Sequence, residues 1–433
     1  MHPNLAERSH LSIDVRGHLL IDGVDTVGLA KQFGSPLYVM SSERLRKNYR
    51  GFETAFKSIY DKVLVCFAYK ANSQLAVCRL LKEEGAGAEV ASGGELHIAL
   101  EAGVSPGKIV FDGPNKTLEE LKTAIEAGVR LINADSTAEI KKINKVAAEV
   151  GRKPTIGVRV NPDIPAATHP YLSTGLREHK FGIWIKDAFE AYKLANGEEN
   201  IVVAGMLAHI GSDIRSVDPF RESIHRIFDL IGDLHDKLGL EISLVDLGGG
   251  LGIPYAPDQA HTPVSDYAHT IVSSIREKTQ ERDLPLPTLI LEPGRAIAGD
   301  AGILLTTVGV VKETGRRNWV MADAGMNLLL RPSLYDAYHH VIVANKASET
   351  PATTYSIGGP CCESSDYLAK DRRFPKLTEG DLLAVLDTGA YGFSMSSNYN
   401  SYPRCAVVMV ENGVGRLIRS RETYEDLLRH EVV

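Results

Sequence analysis

The sequence predicts an α/β protein: a (β/α)8 barrel of the TIM type plus a mainly antiparallel β domain of barrel or sandwich form. Three observations predict it. From about residue 37 to 300 one theme repeats, a short apolar run and then an amphipathic stretch with helical spacing. The theme recurs eight times without a break, which matches a closed barrel in size. Beyond Asp300 the helical spacing stops, and short β-rich runs alternate with turn residues. A doubly wound open sheet competes for the first part, but no break separates two halves.

The elements follow in order. The chain opens with strand, turn and strand over 11–15 and 18–21, then a helix over 26–33 and the turn Gly34-Ser35-Pro36. Eight strands come next, at 63–70, 87–92, 108–112, 130–135, 155–161, 202–209, 244–248 and 288–292. Each is a nearly continuous apolar run, as a parallel sheet buried on both faces requires. Helical periodicity covers 74–84, 94–102, 117–127, 137–150, 187–195, 220–238 and 267–281. Polar residues end six strands (Lys70, Ser92, Asp135, Asn161, His209 and Glu292), and a barrel brings them to the rim where such folds place their chemistry. The last part reads as strands over 302–312, 318–323, 353–358, 381–386 and 404–410. The expected domains are therefore 36–300 for the barrel, and 1–35 with 301–433 for a β domain built from both chain ends.

With 433 residues the chain exceeds one ordinary core, so two domains are expected. Its 44% hydrophobic and 24% charged residues are those of a globular protein. A net charge of −7 with both signs interspersed argues against a nucleic-acid surface. The five cysteines show no CxxC or Cys/His spacing, so neither a disulfide framework nor a metal site is expected, and a reducing cytoplasm is. The first residues lack a signal pattern and no apolar run reaches spanning length, so no membrane association is expected.

Several segments could carry chemistry. Lys70 ends an apolar strand, where an unpartnered ammonium is costly. A Schiff base to a carbonyl fits that cost, and so does a head that snorkels to the rim. Gly248, Gly249 and Gly250 let backbone amides turn toward a phosphate; a ligand-free turn fits equally. A dinucleotide fingerprint would open a helix, whereas Ile253-Pro254-Tyr255 continues as loop. Glu292-Pro293-Gly294-Arg295 closes the eighth strand, beside the seventh, where barrels hold phosphate. Glu292 could keep a pyridine nitrogen protonated, or form an ion pair with Arg295. His209 could stack on an aromatic cofactor or be a core histidine. Arg331 and Tyr335 stand four apart and could grip a carboxylate; a solvated arginine is the alternative. In the run ending at Asp366, a Cys362 thiol could donate a proton beside a Glu363 carboxylate that binds an ammonium. Two small residues before a surface acid would look the same. Tyr391 sits in a further turn, and His97, His169, His179, His339 and His340 form no ligand set and read as structural.

Together these segments resemble the fold-type III pyridoxal-phosphate decarboxylases, the diaminopimelate decarboxylase group most closely. The similarity runs from about Leu20 to Pro403. Its motifs are FAYKAN, EVASGGEL, THPYLSTGLREHKFG, HIGS, DLGGGLGIPY, EPGR, RPSLYDAYH, GPCCESSD and GAYGFSMSSNYNSYPR. The resemblance implies pyridoxal 5'-phosphate as cofactor and a homodimer with shared active sites. It implies that Lys70 holds the cofactor as a Schiff base, that His209 stacks on its ring, and that Glu292 faces the pyridine nitrogen. Gly250 and the amides of Glu292, Pro293, Gly294 and Arg295 would hold the phosphate. Arg295, Arg331, Tyr335, Glu363 and Tyr391 would contact substrate, Tyr391 the cofactor as well. Cys362 would return a proton, reaching with Glu363 the cofactor of the other subunit. The implied reaction is decarboxylation of meso-2,6-diaminopimelate to L-lysine, the last step of lysine biosynthesis. A decarboxylase of ornithine, arginine or lysine is the alternative on the same fold. A racemase would want arginine at the ring nitrogen, and a non-catalytic carrier of the cofactor has the barrel alone. Two positions depart from the pattern: Glu89 stands where aspartate is usual, and Asp213 where glutamine is usual.

Overall fold

A computed structural model describes residues 8–165, 179–257 and 259–432. The chain forms two compact units. In the unit of Asn48–Ile253 and Ala260–Ile297, eight parallel strands close into a ring. They are β1 (Val63–Ala68), β2 (Gly87–Val90), β3 (Ile109–Phe111), β4 (Leu131–Ala134), β5 (Thr155–Asn161), β6 (Val202–Leu207), β7 (Leu244–Asp246) and β8 (Thr288–Leu291). Neighbours pair in chain order, and β8 returns to β1 with Leu289 opposite Val63. The expected strand-helix alternation and barrel closure are both present. Most strand residues are buried, so the runs lack polar alternation.

Local signals fix where the helices start and stop. Ser92 and Ser136 accept the backbone N–H of Glu95 and Glu139, capping Gly93–Glu101 and Thr137–Val150. Leu118–Ala127 opens with a reciprocal Thr117/Glu120 box and ends at Gly128, whose φ of 73° is left-handed. Cys66, Val110, Leu131, Leu244 and Ile290 form a core cluster with Leu64 packed against it. Between β5 and β6 the backbones approach closely. A Cβ on Gly205 would lie 2.7 Å from Leu131 Cδ1 and 3.0 Å from Gly157 Cα, which is why a residue without one stands there.

The other unit takes Met1–Lys47, Pro254–Gln259 and Ala298–Val433. Its main sheet runs in the order Tyr367–Phe374, Thr353–Gly358, Asn318–Ala322, Gly302–Glu313, Leu37–Ser41, Ala406–Glu411 and Val414–Arg419. Most pairs are antiparallel. Leu19, Ile21, Leu29, Leu37 and Val39 share one core with Ile303, Leu305, Ala384 and Val408, so both ends of the chain build it. The barrel unit begins at Asn48, whereas the sequence places its start at 36. Leu37–Ser41 instead pairs with Gly302–Glu313 and with Ala406–Glu411. It is buried throughout, like a barrel strand, and only its pairing tells the two apart.

Candidate functional site

In the barrel unit, the chemistry-bearing side chains gather at the carboxyl ends of the strands. Lys70 lies in the 3-10 turn Tyr69–Ala71 directly after β1. Its side chain is 40% exposed, and Nζ donates to Glu89 Oε2 at 2.8 Å, while the Glu89 carboxylate is fully buried. Glu89 is the second-last residue of β2, and its extra methylene relative to aspartate extends its reach. Burial, opposed by Lys70 and reinforced by Asp112, pushes the Glu89 carboxyl up to about 7.

Glu292 follows β8 and is buried. Burial first, then the neighbouring Asp112, Asp246 and Glu89, raises its carboxyl well above the usual range. Its Oε1 has no hydrogen-bond partner among the described residues. Asp246 at the end of β7 is likewise raised by burial and by Asp112, although Gly248 N–H donates to its Oδ1 at 2.8 Å. Oxygens of Glu89, Asp112 and Glu292 all lie within 4.8 Å of one another. That spacing could bridge a cation. Buried like charges so close share protons, so a cationic group entering here would be balanced by releasing one.

His209 stands two residues beyond β6, and its half-buried ring lies against Gly248. A Cβ on Gly248 would come within 2.6 Å of His209 Nδ1. Desolvation, then the Lys70 and Arg159 cations, holds the imidazole well below its ordinary range, so it is neutral at pH 7. Gly250 has φ 110°, and a Cβ there would lie 2.5 Å from Gly211 O. The turns after β6, β7 and β8 are thus laid backbone against backbone. Gly250 O accepts Ile214 N–H at 2.9 Å, and Gly248 O accepts Glu292 N–H at 2.8 Å. Buried Arg295 begins the short helix Arg295–Ala298 and donates from Nη2 to Ser212 Oγ at 2.9 Å. Asp213, with φ 61°, pairs with Arg215 at 2.6 Å, so its charge is met locally.

The barrel unit therefore brings together Lys70, His209, Gly250, Glu292, Pro293, Gly294 and Arg295. The remaining sequence candidates belong to the β unit. Buried Arg331 begins the helix Arg331–Tyr335, and Tyr335 ends it half-buried. Ser333 Oγ donates to Ser365 O at 2.6 Å, tying this helix to the loop that carries Cys362 and Glu363. Both are exposed; Cys362 N–H donates to Asn400 Oδ1 at 2.7 Å, and Glu363 Oε1 accepts from Ser365. Asp366 fixes the same loop by accepting Met326 N–H at 2.6 Å and Cys361 N–H at 2.7 Å. Burial and Asp366 push the Cys361 thiol up to about 11. Tyr391 has φ 57° in the turn after Asp387. The motif at 168–182, with His169, lies mostly outside the described residues.

Sequence reasoning marked Glu89 only as a departure and missed Asp112, Asp246, Ser212 and Asp366. Their signal was position alone: Asp112, Asp246 and Glu89 stand at or beside strand carboxyl ends.

Comparison with known proteins gives a consistent result. Residues 43–299 match the family model "Pyridoxal-dependent decarboxylase, pyridoxal binding domain". The chain is 42% identical over 423 residues to a diaminopimelate decarboxylase of Methanothermobacter thermautotrophicus, covering 98% of this chain and 97% of that one. It is 44% identical over 416 residues to one of Pseudomonas fluorescens, covering 96% and 97%. Among solved structures, diaminopimelate decarboxylase from M. jannaschii in co-complex with L-lysine matches with TM-score 0.92 and 42% identity, over 100% of this chain and 99% of that one. The Helicobacter pylori structure complexed with L-lysine matches with TM-score 0.87 and 36% identity, over 94% and 98%.

Proposed function

This chain belongs to the diaminopimelate decarboxylase family of pyridoxal-dependent decarboxylases, and from that premise we propose that it converts meso-2,6-diaminopimelate to L-lysine and carbon dioxide. The observation that carries the reading is that one barrel mouth holds both a half-exposed Lys70 amine, ion-paired with Glu89, and the buried Glu292 carboxyl.

Pyridoxal phosphate fits the residues present. Glu292 Oε1 is buried without a donor among the described residues, which suits a protonated ring nitrogen. When bound, pyridoxal phosphate supplies an aldehyde that condenses with amines and a ring that takes up the electron pair left by departing carbon dioxide. Lys70 would hold the aldehyde carbon through Nζ. Glu292 would face the ring nitrogen and favour its protonated form, and neutral His209 would lie beside the ring. Gly250, Arg295 and the Gly294 amide would hold the phosphate, whereas Pro293 has no N–H to donate and the Glu292 N–H is already given to Gly248 O, so these two shape the turn. Toward substrate, Arg295, Arg331, Tyr335 and Tyr391 meet the distal carboxylate and Glu363 the distal ammonium. Cys362 donates a proton to the α-carbon. The reading includes a homodimer in which Cys362 and Glu363 serve the other subunit's cofactor. It also includes a cytoplasmic location, which the five free cysteines support.

The test is incubation of protein and cofactor with meso-diaminopimelate, ornithine, arginine and lysine, following carbon dioxide and product. Only the first should turn over. The other three lack the second amino-acid end, and a site whose buried polar groups need partners rejects such analogues by roughly 10⁴-fold. Turnover of ornithine would overturn the specificity.

A further inference from the structure

We infer that His339 is a positioning residue for substrate recognition: its Nε2 lone pair anchors one end of the Arg331 guanidinium and so sets how Arg331 meets a carboxylate. The inference rests on the reading of Arg331 as a carboxylate contact and deepens it.

His339 is fully buried. Its Nδ1 lies 2.8 Å from Leu386 O, a carbonyl that can only accept, so Nδ1 carries the hydrogen. Its Nε2 lies 2.7 Å from Arg331 Nη1, a nitrogen that can only donate, so Nε2 carries the lone pair. Two fixed neighbours thereby select one neutral tautomer. A protonated ring would set N–H against N–H, so the imidazole here is neither a base nor a switch. It is an oriented acceptor. The guanidinium is also flanked on one face: Arg331 Cζ stands 4.5 Å from the centre of the Tyr255 ring. That ring meets His339 edge-on at 5.2 Å and 72°. Arg372 donates to the His339 main-chain oxygen, which holds the residue from the backbone side.

A long side chain with several rotatable bonds is thus fixed before any substrate arrives. Preorganisation of that kind raises affinity for a bidentate partner. The bland account is that a buried arginine needs an acceptor and His339 merely supplies one for stability. The two accounts differ in what happens to ligands that carry, or lack, a carboxylate at the far end. L-Lysine keeps its carboxylate at that end, with its ε-amine toward the cofactor. 1,5-Diaminopentane presents the same amine and no carboxylate.

Binding of both probes to the cofactor-loaded protein is followed by the absorbance of the cofactor, with thermal unfolding measured alongside. His339→Asn retains a donor for Leu386 O but has nothing at the Nε2 position. His339→Gln retains an acceptor near Nε2 and loses the donor. We expect His339→Asn to weaken L-lysine by about 10–10²-fold, the size of effect that losing a hydrogen bond to a charged group produces, with 1,5-diaminopentane unchanged. His339→Gln should stay near the parent for both probes, and Arg331→Ala should lose L-lysine alone. Loss of L-lysine in Arg331→Ala with none in His339→Asn overturns the inference and leaves Arg331 in place. Equal weakening of both probes in His339→Asn, tracking its unfolding temperature, overturns it in favour of the stability account. Unchanged L-lysine binding in Arg331→Ala overturns the reading of Arg331 and the inference with it. Should His339→Asn fail to fold, His339→Gln decides: L-lysine loss matching Arg331→Ala overturns the proposal, and retention supports it.

Discussion

Glu89→Gln in the cofactor-free protein should gain stability relative to the parent as pH rises through the neutral range. The Glu89 carboxyl is buried, and only one of its oxygens faces Lys70; Oε1 has no partner among the described residues. Its ordinary value of 4.5 is raised to about 7. A carboxyl raised on folding binds its proton more tightly in the native state, so its favourable contribution is complete below pH 4.5. That contribution is lost as pH climbs through 7. A rise of this size corresponds to about 3 kcal/mol at the upper end. Glutamine keeps the shape and a hydrogen-bond acceptor without the titration. Relative to Glu89→Gln, the parent should therefore lose about 3 kcal/mol between pH 5 and pH 8. Urea unfolding of both proteins at half-unit steps of pH measures the difference directly. A difference flat with pH would refute the reasoning, because Glu89 would then titrate normally. A parent that gains on the variant above pH 7 would refute it more strongly, because the ion pair with Lys70 would then outweigh burial.

Three further outcomes follow from other contacts. Lys70→Ala should abolish turnover and lose covalent retention of the cofactor, read as the absence of cofactor absorbance after denaturing filtration. Asp366→Asn removes a charged acceptor from two backbone N–H groups and should cost about 1–3 kcal/mol by thermal unfolding. It should also change the alkylation rate of Cys362, since the loop is no longer fixed at Cys361. Arg8→Ala strips a bidentate partner, at 3.0 and 2.7 Å, from buried Asp387, whose carboxyl burial already pushes up to about 6. We expect a loss of about 3–5 kcal/mol at pH 8. The loss should be smaller at pH 5, where the lone carboxyl takes up a proton. Chemical denaturation at the two pH values tests it.

The barrel was legible because each of its strands is an almost uninterrupted apolar run, and the polar residue that ends the run marks the rim. Lys70, His209 and Glu292 were found on that basis, and each lies within two residues of its strand end. What failed was allocation rather than recognition. Leu37–Ser41 is as buried as any barrel strand, and its partners at 302–305 and 406–410 lie far along the chain. Edge strands failed for a different reason. Val414–Arg419 is largely exposed, Tyr367–Phe374 is exposed in its middle, and both carry basic residues, so they lack a strand's apolar signature. In the site, a one-methylene difference at Glu89 was visible, but not that it reaches Lys70. The tautomer of His339 depends on Leu386, 47 residues away. Local spacing carries no trace of that.

The strand Leu37–Ser41 has a consequence for how the protein is made. It lies between Gly302–Glu313 and Ala406–Glu411, so neither of its hydrogen-bonding edges is satisfied until ribosomes have added several hundred more residues. At about 5–20 residues per second that delay is on the order of tens of seconds. During it, an apolar β segment with two open edges waits near the start of the nascent polypeptide, while the barrel emerges complete behind it. Premature termination before residue 406 would leave that segment with at least one edge permanently open, and such fragments should aggregate even though every barrel strand has been synthesised.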